Sequence, residues 1–246
     1  MRARSITMPM NDPISRSPAL WESGFYRLLA WLSPGFPVGA FSFSHGLEAA
    51  VEGGAVRDHG SLQHWIGAVL ALGSGRIDVD VLRDAHGAAM NGDIEALTLA
   101  NRRGVAFRAT AEMVTETTAQ GAAFLNTCRA AWPEPLLDRW AATLDGGPIC
   151  YAAAVGAATA RAGVPLEWAL SAYLLAMAAN LVAAGLRLGI IGQTDGQRIL
   201  AALESVIDAA VAATSTRDAS SFGAATFAVD LASMAHETQY TRLFRS

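Results

Sequence analysis

Residues Ala169–Leu186 read ALSAYLLAMAANLVAAGL, 18 residues without a charge. That length is the lower limit for a bilayer-spanning helix. Ser171, Asn180 and several alanines lower its hydrophobicity, however, and no Lys/Arg asymmetry flanks it. The stretch therefore reads as a central buried helix, with no membrane partner expected. Pro165 precedes it, near a first helical position where its missing N–H costs nothing.

Helical patterns continue in both directions from this segment. Alanine, the best helix former, is abundant, and β-branched runs are short. Upstream, Trp21–Leu32 has apolar residues at 21, 25, 28, 29 and 32, the spacing of one helix face. The run Ser33–Gly39, with two Pro and two Gly, breaks it. Further helices are predicted over Ser44–Glu52 with Ser44 as N-cap, Asp58–Leu72, Asp78–Met90, Asp93 to about Arg103, Ala106–Ala131, Pro135–Leu144 and Cys150–Ala162. Downstream, Thr194 or Asp195 caps a helix to about Ala213, and a final segment runs over Gly223–Ser246. The expected fold is all-α: a single domain of about ten helices packed around the helix that begins at Pro165, spanning residues 21–246. Residues 1–20, polar and broken by Pro9, Pro13 and Pro18, read as a disordered lead-in without a signal-peptide core.

Composition excludes several kinds of chemistry. With 246 residues, 52% hydrophobic and a net charge of -4, the chain is too apolar for global disorder. Nothing resembles a basic patch beyond Arg102–Arg103, so no nucleic-acid partner is expected. All 18 basic residues are Arg. A Walker A loop and a protein-kinase site each require a Lys, and Schiff-base chemistry requires an amine side chain. Cys128 and Cys150 form no CxxC and read as two small buried residues in a reducing compartment, so the expected location is cytoplasmic.

The polar residues offer little that is catalytic. His45 and Glu48 are i, i+3 and share a face, but two ligands fall short of a zinc or nickel set. Asp80 and Asp84 near His86 read as a charged helix surface. Ser42 and Ser44 lie near His45, and a small all-α enzyme using the Ser42–Glu48 region is the alternative reading; no GxSxG accompanies it. The stretch Gly192–Gln197 (GQTDGQ) reads as a tight helix–helix turn or a contact surface. The ending His236–Ser246 carries Tyr240, Leu243, Phe244, Arg242 and Arg245, the residue types that anchor interfaces. It reads as a tail whose order depends on a partner.

Taken together, these segments resemble a known family. Ser33-Pro34 with Pro37-Val38-Gly39 and Phe41, followed by Ser44-His45-Gly46-Leu47-Glu48, is similar to the N-terminal signature of the urease accessory protein UreF family. Leu188 with Gly192–Gln197 is similar to its central signature. His236-Glu237, Tyr240 and Arg242–Ser246 are similar to its ending. Glu112, Gln120 and Gly121 fit a looser pattern. The chain departs from the family where a Pro is common, at Ser221–Phe227 and Leu188–Ile191.

The resemblance implies a dimeric, all-α, non-enzymatic scaffold. Such a scaffold binds UreD (also called UreH) and with it recruits the GTPase UreG. It modulates GTP hydrolysis by UreG as nickel is delivered to apo-urease. No tightly bound cofactor is implied: the complex handles nickel, and UreG binds GTP. Direct nickel carriage through His45 or His236 is a weaker alternative. On the three signatures the expected partner-binding residues are Pro37, Gly39, Ser44, His45 and Glu48; Gln193, Thr194, Asp195 and Gln197; and His236, Glu237, Tyr240, Arg242, Leu243, Phe244 and Arg245.

Overall fold

The computed structural model describes residues 20–246, so the expected lead-in lies, but for Leu20, outside the described residues. Among those described there are eleven α-helices and no strand: α1 Leu20–Trp31, α2 Leu47–Glu52, α3 His59–Ala71, α4 Ser74–Met90, α5 Ile94–Ala106, α6 Ala111–Ala131, α7 Pro135–Leu144, α8 Tyr151–Arg161, α9 Leu166–Arg187, α10 Gln193–Thr216 and α11 Phe227–Glu237. Short 3-10 turns lie at Ala40–Ser42 and Ala219–Ser221. The single all-α domain is the one expected.

Local chemistry sets many of the helix starts. Asp58 and Ser61 form a reciprocal capping box on α3, Asp93 caps α5, and Glu134 caps α7 ahead of Pro135. Two expected caps fall elsewhere. The second helix starts at Leu47, behind Gly46 in the left-handed region at φ 77°, and α10 starts behind Gly192 with no side-chain cap. Ser44 stands outside α2, and Asp195 pairs with Arg198 at 3.0 Å.

The long sixth helix begins at Ala111 rather than Ala106, because residues 107–110 turn Arg108 inward to a buried ion pair with Asp78. Thr110 then caps α6 through the Met113 N–H at 3.1 Å. Asp80 also departs from expectation. It is 1% exposed and ion-paired with Arg217 at 2.8 Å, so this part of α4 is a buried charge network rather than a solvated face.

Helix α9 packs against α2, α3, α4, α8, α10 and the Ala40–Ser42 turn, as a central helix should. The most enclosed helix, however, is α8, in which every residue from Ala152 to Ala160 is buried. Glycines on α8 and on α6 bring backbones into close approach here. A Cβ on Gly156 would come within 2.6 Å of the Leu82 carbonyl on α4, and one on Gly121 would fall on the Ile149 carbonyl. By length and composition α9 and α10 could each cross a membrane, yet half of the α9 window is buried inside the fold.

Candidate docking site at the carboxyl-terminal segment

After α11 the chain returns to the body, and residues 239–246 lie along a cleft between α2, α6 and the loop before α2. The first side of the cleft comes from the loop's geometry. His45 and Gly46 both have positive φ, at 57° and 77°. A Cβ on Gly46 would sit 2.8 Å from the Ser233 nitrogen, so glycine lets α2 touch α11. The second side comes from α6, where Glu112 and Glu116 are one turn apart and share a face.

Three carboxylates hold the segment, Glu48 and Glu112 buried and Glu116 partly so. Glu48 accepts the backbone N–H groups of Leu243 at 2.7 Å and Phe244 at 2.9 Å. Its second neighbour is His236, whose Nε2 lies 3.1 Å from Oε2. The opposite nitrogen of that ring, Nδ1, faces Glu112 at 2.8 Å, so α11 ends with its histidine between two carboxylates. Glu112 also accepts from Arg242 at 3.0 Å. Glu116 accepts from the Ser246 hydroxyl at 3.1 Å and faces His45 Nδ1 at 3.0 Å. Burial alone would raise the Glu116 carboxyl, but the charge and hydrogen bond of His45, with the Ser246 hydroxyl, hold it below its ordinary value.

Backbone and aromatic contacts complete the docking. The Ser44 N–H and hydroxyl both donate to the main-chain oxygen of Ser246, at 2.7 and 2.5 Å, and the Arg245 N–H donates to Ser42 at 2.8 Å. Phe244 is buried beneath the guanidinium of Arg187, 4.2 Å from its ring centre. Arg245 lies over Phe43, whose carbonyl accepts from Asn180 of α9 at 3.3 Å.

The first and third sequence signatures thus pair directly, and Arg187, at the end of α9, covers Phe244. The tail docks on its own chain, through Ser44, Glu48, Glu112 and Glu116. Phe244 reaches the core and leaves Tyr240 and Leu243 as the outward apolar residues.

The expected contact residues divide by burial. Ser44, His45, Glu48, His236 and Phe244 are buried and anchor the segment instead of facing outward. Pro37, Gln193, Thr194, Gln197, Glu237, Tyr240, Arg242, Leu243 and Arg245 are exposed, while Gly39 and Asp195 are intermediate. His45 and Glu48 do not share one target: His45 faces Glu116 and Ser74, and Glu48 faces His236 and the tail. Ser44 is fully occupied by Ser246 and Glu48, so no nucleophile–base pair forms over Ser42–Glu48. Among the described residues no group of three or more His, Cys, Asp or Glu is arranged to hold a metal ion.

Glu116 and Ser74 are site residues that the sequence motifs do not mark. The signal for Glu116 was the polar row Glu112, Glu116, Gln120 at i, i+4, i+8 on a helix that also places Met113, Thr117 and Phe124 inward.

Two surfaces adjoin this site. Along α11, Phe227, Leu231 and Met234 are exposed at helical spacing, and Tyr240 and Leu243 are exposed on the tail that follows. Beside α9 an open groove of about 580 Å³ runs between α1, the 33–41 loop and α9. Its floor includes Arg108, Asp78 and Tyr173, whose hydroxyl donates to Asp78 at 2.9 Å. Burial opposes the Arg108 charge, yet Asp78 beside it raises the guanidinium above its ordinary value.

A single all-α domain with a self-docked tail and exposed apolar faces is built for contact between proteins. The family model described as UreF matches residues 56–204, more than half of the chain. Urease accessory protein UreF of Azorhizobium caulinodans is 49% identical over 219 residues, covering 89% of this chain and 94% of its own. The protein of the same name from Xanthobacter autotrophicus is 49% identical, covering 89% and 90%, and that of Rhodopseudomonas palustris is 46% identical, covering 93% and 94%. The chain belongs to the UreF family of urease accessory proteins and has its role in urease maturation. The relatives are named as accessory proteins rather than catalysts, in agreement with the expectation that this chain is not an enzyme.

Proposed function

We propose that this chain is a cytoplasmic, chaperone-like scaffold. It acts as a homodimer with UreD (UreH) and the GTPase UreG to insert nickel into apo-urease, and it modulates GTP hydrolysis by UreG. In this reading the complex handles nickel and UreG binds GTP, while the chain contributes surfaces. The observation that carries it is the set of outward side chains on the docked tail and α11: Tyr240, Arg242, Leu243 and Arg245 on the one, Phe227, Leu231 and Met234 on the other. Exposed aromatic, Arg and Met residues around an apolar stripe are the composition of a protein interface. The buried carboxylates beneath fix that face in one conformation, which lowers the ordering cost of binding.

Capture of the tagged chain from cell extract tests the proposal. UreD, UreG and urease subunits should come with it, and capture of none of them would sink it. Sedimentation at micromolar concentration tests the dimer.

A further inference from the structure

The groove beside α9 and the carboxyl-terminal segment share one wall. On its inner side, the chain from Gly39 to His45 lines the groove through Gly39, Ala40, Phe41 and His45. On its other side, the same stretch carries the tail. Ser42 accepts the Arg245 N–H at 2.8 Å, and Ser44 holds the Ser246 oxygen through two donors at 2.7 and 2.5 Å. Glu116 joins the two sides. It lines the groove, and its Oε2 is shared by His45 Nδ1 at 3.0 Å and the Ser246 hydroxyl at 3.1 Å.

The wall also contains strain. His45 is a buried non-glycine residue at φ 57°. Such a backbone persists only where its surroundings over-determine it. Here those surroundings are Glu116 on Nδ1, Ser74 on Nε2 at 2.7 Å, and the tail oxygen bound to the preceding residue.

We propose that the tail and the groove are one coupled element, in which docking of Arg245 and Ser246 holds the wall 39–46 in its packed shape. Loss of the tail contacts removes partners from Ser42, Ser44 and Glu116 together. His45 is then free to leave the left-handed region, and the groove loosens. Linkage makes the coupling reciprocal, so loosening of the groove wall also weakens docking of the tail. The inference concerns the chain alone and stands apart from the urease reading.

The test places an acrylodan label on Ala176→Cys, on the α9 wall opposite the shared one, and a control label on Ala209→Cys, on the exposed side of α10. Each is read in the otherwise unchanged chain, in a chain lacking Arg245 and Ser246, and in Glu116→Gln. The truncation leaves Glu48 bonded to Leu243 and Phe244, and Glu116→Gln keeps the side chain's size while weakening the shared acceptor. The native Cys128 and Cys150 are buried and report global unfolding if they become reactive. Iodide quenching of the groove label should rise by at least about threefold in both variants, as local opening exposes it, with the control label unchanged. An unchanged groove label in variants that stay folded overturns the coupling. An equal rise at both labels also overturns it, since that reports general loosening.

Discussion

His236 Nε2 lies 3.1 Å from Glu48 Oε2, and this contact joins the end of α11 to the start of α2 across 188 positions of chain. His236 is fully buried, and Glu48 is nearly so. The same carboxylate takes the two tail N–H groups, so a single side chain fixes both the helix end and the strap that follows it. Removing it would leave the buried Nε2 of His236 and the Leu243 and Phe244 amides without their acceptor.

Glu48→Ala should therefore cost roughly 3 kcal/mol of stability or more, since each buried polar group left without its partner costs about 1–3 kcal/mol. Urea unfolding measures this. Hydrogen exchange should show the Leu243 and Phe244 amides losing protection. A loss below about 1 kcal/mol, the scale of a surface pair, would place Glu48 outside the role assigned here.

The sequence made the helices legible and left their mutual approach hidden. Periodicity and punctuation locate ten of the eleven α-helices, Pro135–Leu144 to the residue, while α11 lies inside a final segment, Gly223–Ser246, to which they give no helical bounds. The errors came where tertiary partners override local chemistry. Ser44 has the chemistry of an N-cap, but the main-chain oxygen of Ser246 takes its hydroxyl. Residues 107–110 have no breaker among them, and only Asp78, 30 positions away, explains why Arg108 turns inward. The tail was legible as an anchor-rich segment. That its own body supplies the cleft was not, because Glu112 and Glu116 meet it only through folding.

Gly121→Ala tests the close packing that the small residues allow. The added Cβ would strike the Ile149 carbonyl, and neither rigid backbone can yield cheaply. The cost should be roughly 3 kcal/mol, the upper part of the range for overpacking. Thermal unfolding should show a clear fall in midpoint. Gly87→Ala is the control: its site on α4 has open space for a Cβ, so alanine should be neutral or stabilising.

Glu116 gives the protein an acid-side dependence of known sign. Burial opposes its charge, but His45 and Ser246 outweigh that and hold the carboxyl below its ordinary 4.5. A group lowered on folding adds stability above its unfolded value and loses it as pH falls through the folded one. The chain should thus lose stability below about pH 4.5, and Glu116→Gln should lose less over that interval. Urea midpoints of both proteins across the acid range measure the difference. Parallel slopes would remove Glu116 from the account.

Arg242 and Leu231 separate the outward face from the anchoring beneath it. Arg242 is 41% exposed at its side chain and pairs with Glu112, so Arg242→Ala should leave the fold intact and cost no more than about 1 kcal/mol of stability. Leu231 is 64% exposed on α11, so Leu231→Arg should change stability by no more than about 0.5 kcal/mol. If the face binds a partner, both should weaken assembly far more than they weaken the fold. For Arg242→Ala the expected loss is about 1–3 kcal/mol, as for an arginine anchor at an interface. Deletion of Thr241–Ser246 should abolish urease activation while helical content by circular dichroism is retained. Titration of each variant against the accessory complex, alongside urea unfolding, gives the two numbers to compare. Equal losses in both would make the tail only a packed end of the chain. A deficit confined to assembly would place the partner on the Tyr240–Leu243 and Phe227–Met234 face.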